Sequence, residues 1–208
     1  THGGLQDNNR GNPTPANKIG GFVGLSAAMR AVVEIAMFKY CWIDVWTETS
    51  GYISDGAAAA ASDIEDIEAF EAANTGITVV YWTMPLQDDA SYAAREAYNA
   101  AIREYCLDNG KWLLDIADIE CHNADGVKQV DGNSREIATT AYMRDDGGHL
   151  GTTGRLRLAQ AYWSLIAAIA NDDLFVAGQD YVVKLDTDQW GWVHLIIGIL
   201  VFLAGLGI

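Results

Sequence analysis

One short stretch of the chain combines the two side chains that acyl-transfer chemistry uses as a base and its partner. Asp146 and His149 stand three residues apart in DDGGHL, with two glycines between them. Histidine titrates near neutral pH, and a carboxylate that accepts a hydrogen bond from its ring fixes the tautomer and stabilises the imidazolium. The pair therefore predicts a general base with an orienting partner. The alternative is a polar turn before a helix, because Asp-x-x-His is a common string.

A nucleophile to match this pair is not evident. Ser26 lies in GLSAA, which faintly resembles a nucleophile elbow. An elbow needs a strand before its serine and a helix after it, and the residues before Ser26 are typical of a loop. A serine that begins a helix is therefore the favoured interpretation.

Two further groups of side chains are candidates for a site. Trp42 and Trp46 lie at the end of a predicted strand and are candidates to line a substrate pocket, with core packing as the alternative. His122 stands near Asp118 and Glu120, as a metal cluster would require. An ordinary solvated loop is favoured there, because Cys121 and His122 lack the usual spacing of metal ligands. We therefore expect no metal and no other cofactor.

The elements that must position these residues alternate along the chain. Apolar runs rich in β-branched and aromatic residues predict buried strands at about 33–40, 77–84 and 111–119. Helical spacing, a capping box at Ser62 and a terminal glycine predict helices at about 22–30, 62–74, 91–108 and 153–170. The remaining segments are predicted to be loops, at 1–21, 47–61 and 122–146.

Alternation of strand and helix has a strong consequence for the fold. Right-handed crossovers place the strands side by side in a parallel sheet and the helices on both of its faces. Ligands of such sheets bind beyond the carboxyl ends of the strands. The turn that holds Asp146 and His149 follows the last predicted strand, so we expect it at that crevice.

Several stretches taken together resemble one bacterial branch of the SGNH/GDSL hydrolases. The resemblance covers about residues 2–170, and its clearest segments are EIAMFKYCWIDV (34–45), TVVYWTMPL (78–86), YNAAIREYCLDNGKWLLDIADIE (98–120) and DGGHL (146–150). It implies a flavodoxin-like, three-layer α/β/α domain that hydrolyses esters, with an acetylated saccharide as a candidate substrate. It also assigns His149 as the general base and Asp146 as its partner.

The chain departs from that family at the nucleophile. The family's serine lies on its first strand, ahead of the loop with which this sequence opens, and no GDS-like block is present. Gly11 and Asn12 are the nearest stand-ins for the residues that help the family's oxyanion hole. Without the first strand, a sheet edge is left open. We therefore expect an incomplete hydrolase, a catalytically inactive binding or scaffold domain, or a truncated or recombined sequence without an evolved function.

The C-terminal tail differs in composition. After a predicted linker at 171–189, residues 190–208 form a run without formal charge, WGWVHLIIGILVFLAGLGI. A helix needs about 20 apolar residues to span a bilayer, so a membrane helix is expected, with a buried helix or edge element as the alternative. Residues 171–208 resemble part of a small actinobacterial-type membrane protein of unknown function. That likeness implies a chain made from pieces of two families.

Charge and cysteine content limit the partners. The formal charge of −15 argues against nucleic acid, because so acidic a surface repels phosphates. The odd number of cysteines, at Cys41, Cys106 and Cys121, argues against a disulfide framework. We expect an ester substrate, membrane contact through 190–208, and an extracellular or membrane-associated bacterial location.

Overall fold

The computed structural model describes residues 14–88 and 92–171, in which helices and strands alternate. The strands are β1 (Ile35–Met37), β2 (Thr78–Trp82) and β3 (Trp112–Leu114). The helices are α1 (Pro15–Val23), α2 (Ala27–Arg30), α3 (Gly56–Ala73), α4 (Ala93–Asn109), α5 (Ile116–Cys121) and α6 (Thr152–Ala170). Two short 3-10 turns cover Trp42–Val45 and Thr140–Tyr142.

The strands of the described ranges form a parallel sheet in the order β1-β2-β3. Ile35 is paired with Thr78, and Val80 with Trp112. Because consecutive strands are parallel, each connection must cross over the sheet, and α3 and α4 provide these crossovers. The chain is thus a mixed α/β protein with a small parallel sheet, as the alternation of elements predicts.

Side chains that alternate along the strands build a core on each face of the sheet. Val79 and Tyr81 pack with Ile67 of α3 and Ile102 of α4. On the other face, Val80 and Leu114 pack against Leu165 of α6. Helices therefore cover both faces of the described sheet.

The helix α3 begins six residues before the predicted capping box at Ser62, so that prediction of its start was wrong. Asp55 caps the helix, and its side chain accepts a hydrogen bond from the Ala58 N–H at 3.0 Å. The alanines that follow are the strongest helix formers and extend the helix toward its N-terminus. A β-carbon at Gly56 would overlap the carbonyl oxygen of Ala94, so only glycine allows α3 and α4 to approach this closely.

Two other predicted boundaries also differ from the structure. The predicted loop at 1–21 contains most of α1, whose first residue is Pro15 and whose Ile19 and Phe22 are buried. The predicted strand at 111–119 ends at Leu114, because the side chain of Asp115 accepts a hydrogen bond from the Asp118 N–H and starts α5.

The predicted linker and membrane helix, 171–189 and 190–208, lie outside the described residues except for Asn171. Within residues 14–88 and 92–171, no helix has the length and apolar character needed to span a bilayer.

Candidate active site at the carboxyl end of the sheet

A tight turn fixes the backbone around His149. The Gly147 N–H donates to the carbonyl of Arg144 at 2.9 Å, and the Arg144 N–H donates to the carbonyl of His149 at 2.7 Å. Gly147 has a φ of +65°, a conformation that glycine adopts without strain. Asp146 Oδ1 accepts hydrogen bonds from the N–H groups of Gly148 and His149 at 3.1 and 3.0 Å. Hydrogen bonds within residues 144–149 therefore hold the backbone of this turn in place.

The same turn brings together the two predicted catalytic side chains. His149 Nδ1 lies 3.0 Å from Asp146 Oδ2, and the side chains are 61% and 47% exposed. Desolvation raises the pKa of the Asp146 carboxyl, but the N–H groups of His149 and Gly148 and the imidazole outweigh it and hold that pKa below its usual value. Asp146 is therefore ionised at neutral pH and orients an imidazole whose Nε2 faces away from it.

Trp42 and Trp46 lie beside this pair, where the sequence predicts a pocket wall. The rings of Trp42 and His149 meet edge to face, with centroids 5.9 Å apart. Trp46 stacks on Trp42 at 6.0 Å and is 42% exposed. A β-carbon at Gly148 would lie 2.7 Å from the Trp42 ring, so the turn packs directly on that indole.

The segments that follow β1 and β2 both contact the His149 turn. Trp42 lies five residues beyond the last residue of β1. After β2, the Asp88 N–H donates to the carbonyl of Gly147 at 3.2 Å. These two contacts place His149 at the carboxyl ends of the strands, which is where parallel sheets bind their ligands.

A buried ion pair positions Trp42. The carboxylate of Asp44 is fully buried, and Lys18 Nζ of α1 lies 2.7 and 2.6 Å from its two oxygens. Asp44 Oδ2 also accepts the Cys41 N–H at 2.6 Å, and the Asp44 carbonyl accepts the Ile53 N–H at 2.7 Å. Sequence reasoning missed this pair because no local pattern links residues 26 positions apart.

A second network that the sequence did not reveal anchors the region beyond β3. Arg103 of α4 lies 2.6 Å from Asp115 and 2.9 Å from Glu136, through different guanidinium nitrogens. Close by, Glu120 is buried and accepts the Leu86 N–H at 2.6 Å. Burial raises the pKa of Glu120 to about 7. These contacts tie Asp115 and Glu136 to α4, and α5 to the loop after β2.

The structure gives Ser26 the role of a helix cap. Its Oγ accepts a hydrogen bond from the Met29 N–H at 3.3 Å at the start of α2. Within residues 14–88 and 92–171, no hydroxyl or thiol is hydrogen-bonded to the His149 ring. Burial raises the pKa of both Cys106 and Cys121 to about 12, so neither thiol is ionised at neutral pH. Gly11 and Asn12 lie outside the described residues.

Comparison with known families identifies one segment. Residues 152–208 match a family model described as a domain of unknown function, DUF7144. The match begins at the first residue of α6 and continues beyond residue 171, so it crosses the predicted boundary at 170. No curated protein matches the chain. Because the matched family has no assigned function, the similarity suggests no activity.

Proposed function

We propose that this chain is the base-carrying part of an SGNH-type ester hydrolase. The observation that supports it is the 3.0 Å contact between His149 Nδ1 and Asp146 Oδ2 in an exposed turn at the carboxyl ends of parallel strands. A base oriented by a carboxylate at this edge of a sheet is what ester hydrolysis by a serine nucleophile requires.

The pair would act through the free nitrogen of the imidazole. With Nδ1–H donated to Asp146, Nε2 of His149 is left as the acceptor. It would take the proton from a hydroxyl nucleophile and return it to the departing alcohol, while Asp146 stabilises the imidazolium between these steps. The nucleophile of this mechanism must come from outside residues 14–88 and 92–171. Among the strands of the described residues, β1 lies at the edge of the sheet, and a further strand that carries such a serine would pair with it there.

The indoles favour a saccharide ester as the substrate. Trp42 lies beside His149, and Trp46 stacks on Trp42, so the exposed part of Trp46 gives a flat apolar surface one indole away from the base. The apolar faces of sugar rings stack on such surfaces.

Hydrolysis of 4-nitrophenyl acetate by the full chain tests this proposal. We expect His149→Ala to lower the rate to that of buffer, while Arg155→Ala, an exposed change just after the turn, leaves it unchanged. A fluorophosphonate probe should label the nucleophilic serine in a His149-dependent way, and peptide mass spectrometry would identify it. Equal rates for wild type and His149→Ala would rule out the hydrolase.

A catalytically inactive binding module is the second candidate. It is favoured by the absence, in the described part of the chain, of any hydroxyl or thiol hydrogen-bonded to His149. The tryptophan fluorescence of such a module should be quenched when partially acetylated xylo-oligosaccharide binds, and the ligand should not be hydrolysed. We expect Trp46→Ala to abolish the quenching and Trp163→Ala, an exposed indole on α6, to retain it. A chain with neither hydrolysis nor binding would fit a sequence without an evolved function.

A further inference from the structure

One turn of α5 and the residue after it bring together three different metal-ligating side chains. Asp118, Cys121 and His122, called the α5 cluster below, stand at positions i, i+3 and i+4 and so share a helix face. One ligand atom from each lies within 4.8 Å of the other two. The cluster shares no residue with the His149 turn. A thiol, an imidazole and a carboxylate are the three kinds of ligand that zinc prefers.

The distances in the α5 cluster fit tetrahedral zinc. His122 Nδ1 lies 3.3 Å from Asp118 Oδ1 and 3.4 Å from Cys121 Sγ. Zinc bonds of about 2.0–2.3 Å at tetrahedral angles place neighbouring ligand atoms about 3.3–3.6 Å apart. These two separations match two edges of a zinc tetrahedron, and the third pair, the Asp118 carboxylate and Cys121 Sγ, lies within 4.8 Å. We propose that the α5 cluster binds one Zn²⁺ through these three atoms, with water at the fourth position.

The exposure of the side chains suits this coordination. Cys121 is fully buried, while the side chains of Asp118 and His122 are 28% and 26% exposed. The metal would thus contact sulfur on its inner side and solvent on its outer side. Three protein ligands and a water at an open position are the arrangement of zinc sites that bind or activate small molecules.

The backbone that carries the ligands is held from two directions. The Gln129 N–H donates to the carbonyl of Cys121 at 2.7 Å, and the Thr139 N–H donates to the carbonyl of Glu120 at 2.8 Å. The Asn123 N–H donates to the carbonyl of Val127 at 3.0 Å. Ligands on a fixed backbone lose little conformational entropy when a metal binds, so the site is preorganised.

The charges around the α5 cluster also favour a cation. Arg103 is paired with Asp115 and Glu136, and Lys128 lies 2.7 Å from Glu136. With Asp118 included, three carboxylates face two basic groups. A divalent cation beside Asp118 would therefore enter a region of net negative charge.

Binding requires the loss of one proton and a change of tautomer. The Cys121 thiol gives up its proton to solvent as the zinc–sulfur bond forms, so one proton is released for each Zn²⁺ that binds. His122 Nδ1 now lies 2.8 Å from the carbonyl oxygen of Asp118. Coordination through Nδ1 moves the ring proton to Nε2 and gives up that hydrogen bond. Affinity should therefore rise with pH.

Cobalt provides the test, because Co²⁺ bound by a thiolate absorbs in the near ultraviolet through sulfur-to-metal charge transfer. The full chain, reduced and freed of metal with a chelator, is titrated with Co²⁺ and then with Zn²⁺. We expect one equivalent of Co²⁺ to give this band and Zn²⁺ to abolish it. Cys121→Ser should lose the band, and His122→Ala should bind Zn²⁺ at least tenfold more weakly. Cys106→Ser, a change at the buried thiol of α4, should keep both properties.

Two results would overturn the site. One is the absence of a charge-transfer band in the wild-type chain. The other is Zn²⁺ affinity that is unchanged in His122→Ala; if it is also lost in His149→Ala, the metal belongs at the Asp146–His149 turn. Cys121 is buried beside Leu86 and Ala117, so its serine variant can fail to fold. His122 is partly exposed, and the affinity of its alanine variant decides the question on its own.

Discussion

Gly148 lies so close to Trp42 that a β-carbon on the glycine would be 2.7 Å from two atoms of the indole. The contact joins a residue of the His149 turn to a residue of the 3-10 turn after β1, across more than a hundred positions of sequence. It lies next to Asp146 and His149, in the region where the rings of Trp42 and His149 meet edge to face with centroids 5.9 Å apart. The geometry of the proposed base thus depends on an indole from another element.

Substitution Gly148→Ala tests this contact. The added methyl group must push the Trp42 ring or the turn aside, and such overpacking costs about 1–3 kcal/mol of unfolding free energy. Urea denaturation measures that cost, and a steady-state assay with 4-nitrophenyl acetate measures the displacement of His149. Gly132→Ala is the matched control, because a β-carbon there meets nothing within 4 Å. Equal stability of the two variants would mean that Trp42 moves freely.

The buried pair of Lys18 and Asp44 gives a second prediction. Lys18→Met removes the cation and leaves the Asp44 carboxylate in a fully buried position, which costs about 3–5 kcal/mol. The same change at Lys111, whose partner Glu71 keeps some contact with solvent, should cost less than the change at Lys18. Chemical denaturation of both variants at neutral pH makes the comparison. Because the pair holds the turn that carries Trp42, Lys18→Met should also alter the fluorescence of that indole.

A third prediction concerns pH and the buried carboxyl of Asp63 on α3. Burial raises the pKa of Asp63 to about 6, although hydrogen bonds from the hydroxyls of Tyr40 and Tyr98, at 3.1 and 3.0 Å, act in the opposite direction. The folded protein therefore holds this proton at pH values where the unfolded chain has lost it. The free energy of unfolding should fall as pH rises from about 4 to about 6, by roughly 2–3 kcal/mol.

Substitution Asp63→Asn isolates that effect. The asparagine oxygen still accepts a hydrogen bond from a tyrosine, but no group titrates, so the difference in stability between wild type and variant should change across this pH range. Glu65→Gln, an exposed change on the same helix, should follow the wild type. Parallel pH profiles for wild type and Asp63→Asn would contradict the raised pKa.

Local signals in the sequence predicted part of the fold. Gly110 ends α4 in a left-handed conformation, with φ of +60°, as expected of a glycine after a helix. The start of α3 was missed because its first residue is Gly56, and glycine is usually read as a loop residue. Glycine is needed there for the close contact with α4, which no local sequence pattern reveals. The helix α5 was missed, and a strand was predicted in its place, because Asp115, the residue that caps it, lies inside an apolar run.

In the candidate site, too, contacts between sequence neighbours were predictable and contacts between distant elements were not. The contact between Asp146 and His149 follows from a spacing of three residues and two glycines, and the sequence predicted it. The Trp42–His149 contact and the Lys18–Asp44 pair depend on how distant elements pack, so residue types alone gave no signal for either. The position of Trp42 after a predicted strand suggested only that it lies near the crevice.

The last prediction separates the orienting role of Asp146 from its structural role. In Asp146→Asn, the amide oxygen can still accept the N–H groups of Gly148 and His149, so the turn should remain folded. The amide nitrogen would then face His149 Nδ1 and favour the tautomer with its proton on Nε2. That tautomer cannot accept a proton from a nucleophile, and the loss of such a partner lowers kcat by about 10⁴-fold in a known serine hydrolase.

We therefore expect Asp146→Asn to reduce the hydrolysis of 4-nitrophenyl acetate to near the background rate, with an unchanged urea midpoint. Asp145→Asn, an exposed change one residue earlier, should alter neither quantity. A lowered rate together with a lowered midpoint would assign Asp146 to the folding of the turn. A normal rate in Asp146→Asn would mean that His149 needs no carboxylate partner, and the proposed mechanism would then be wrong.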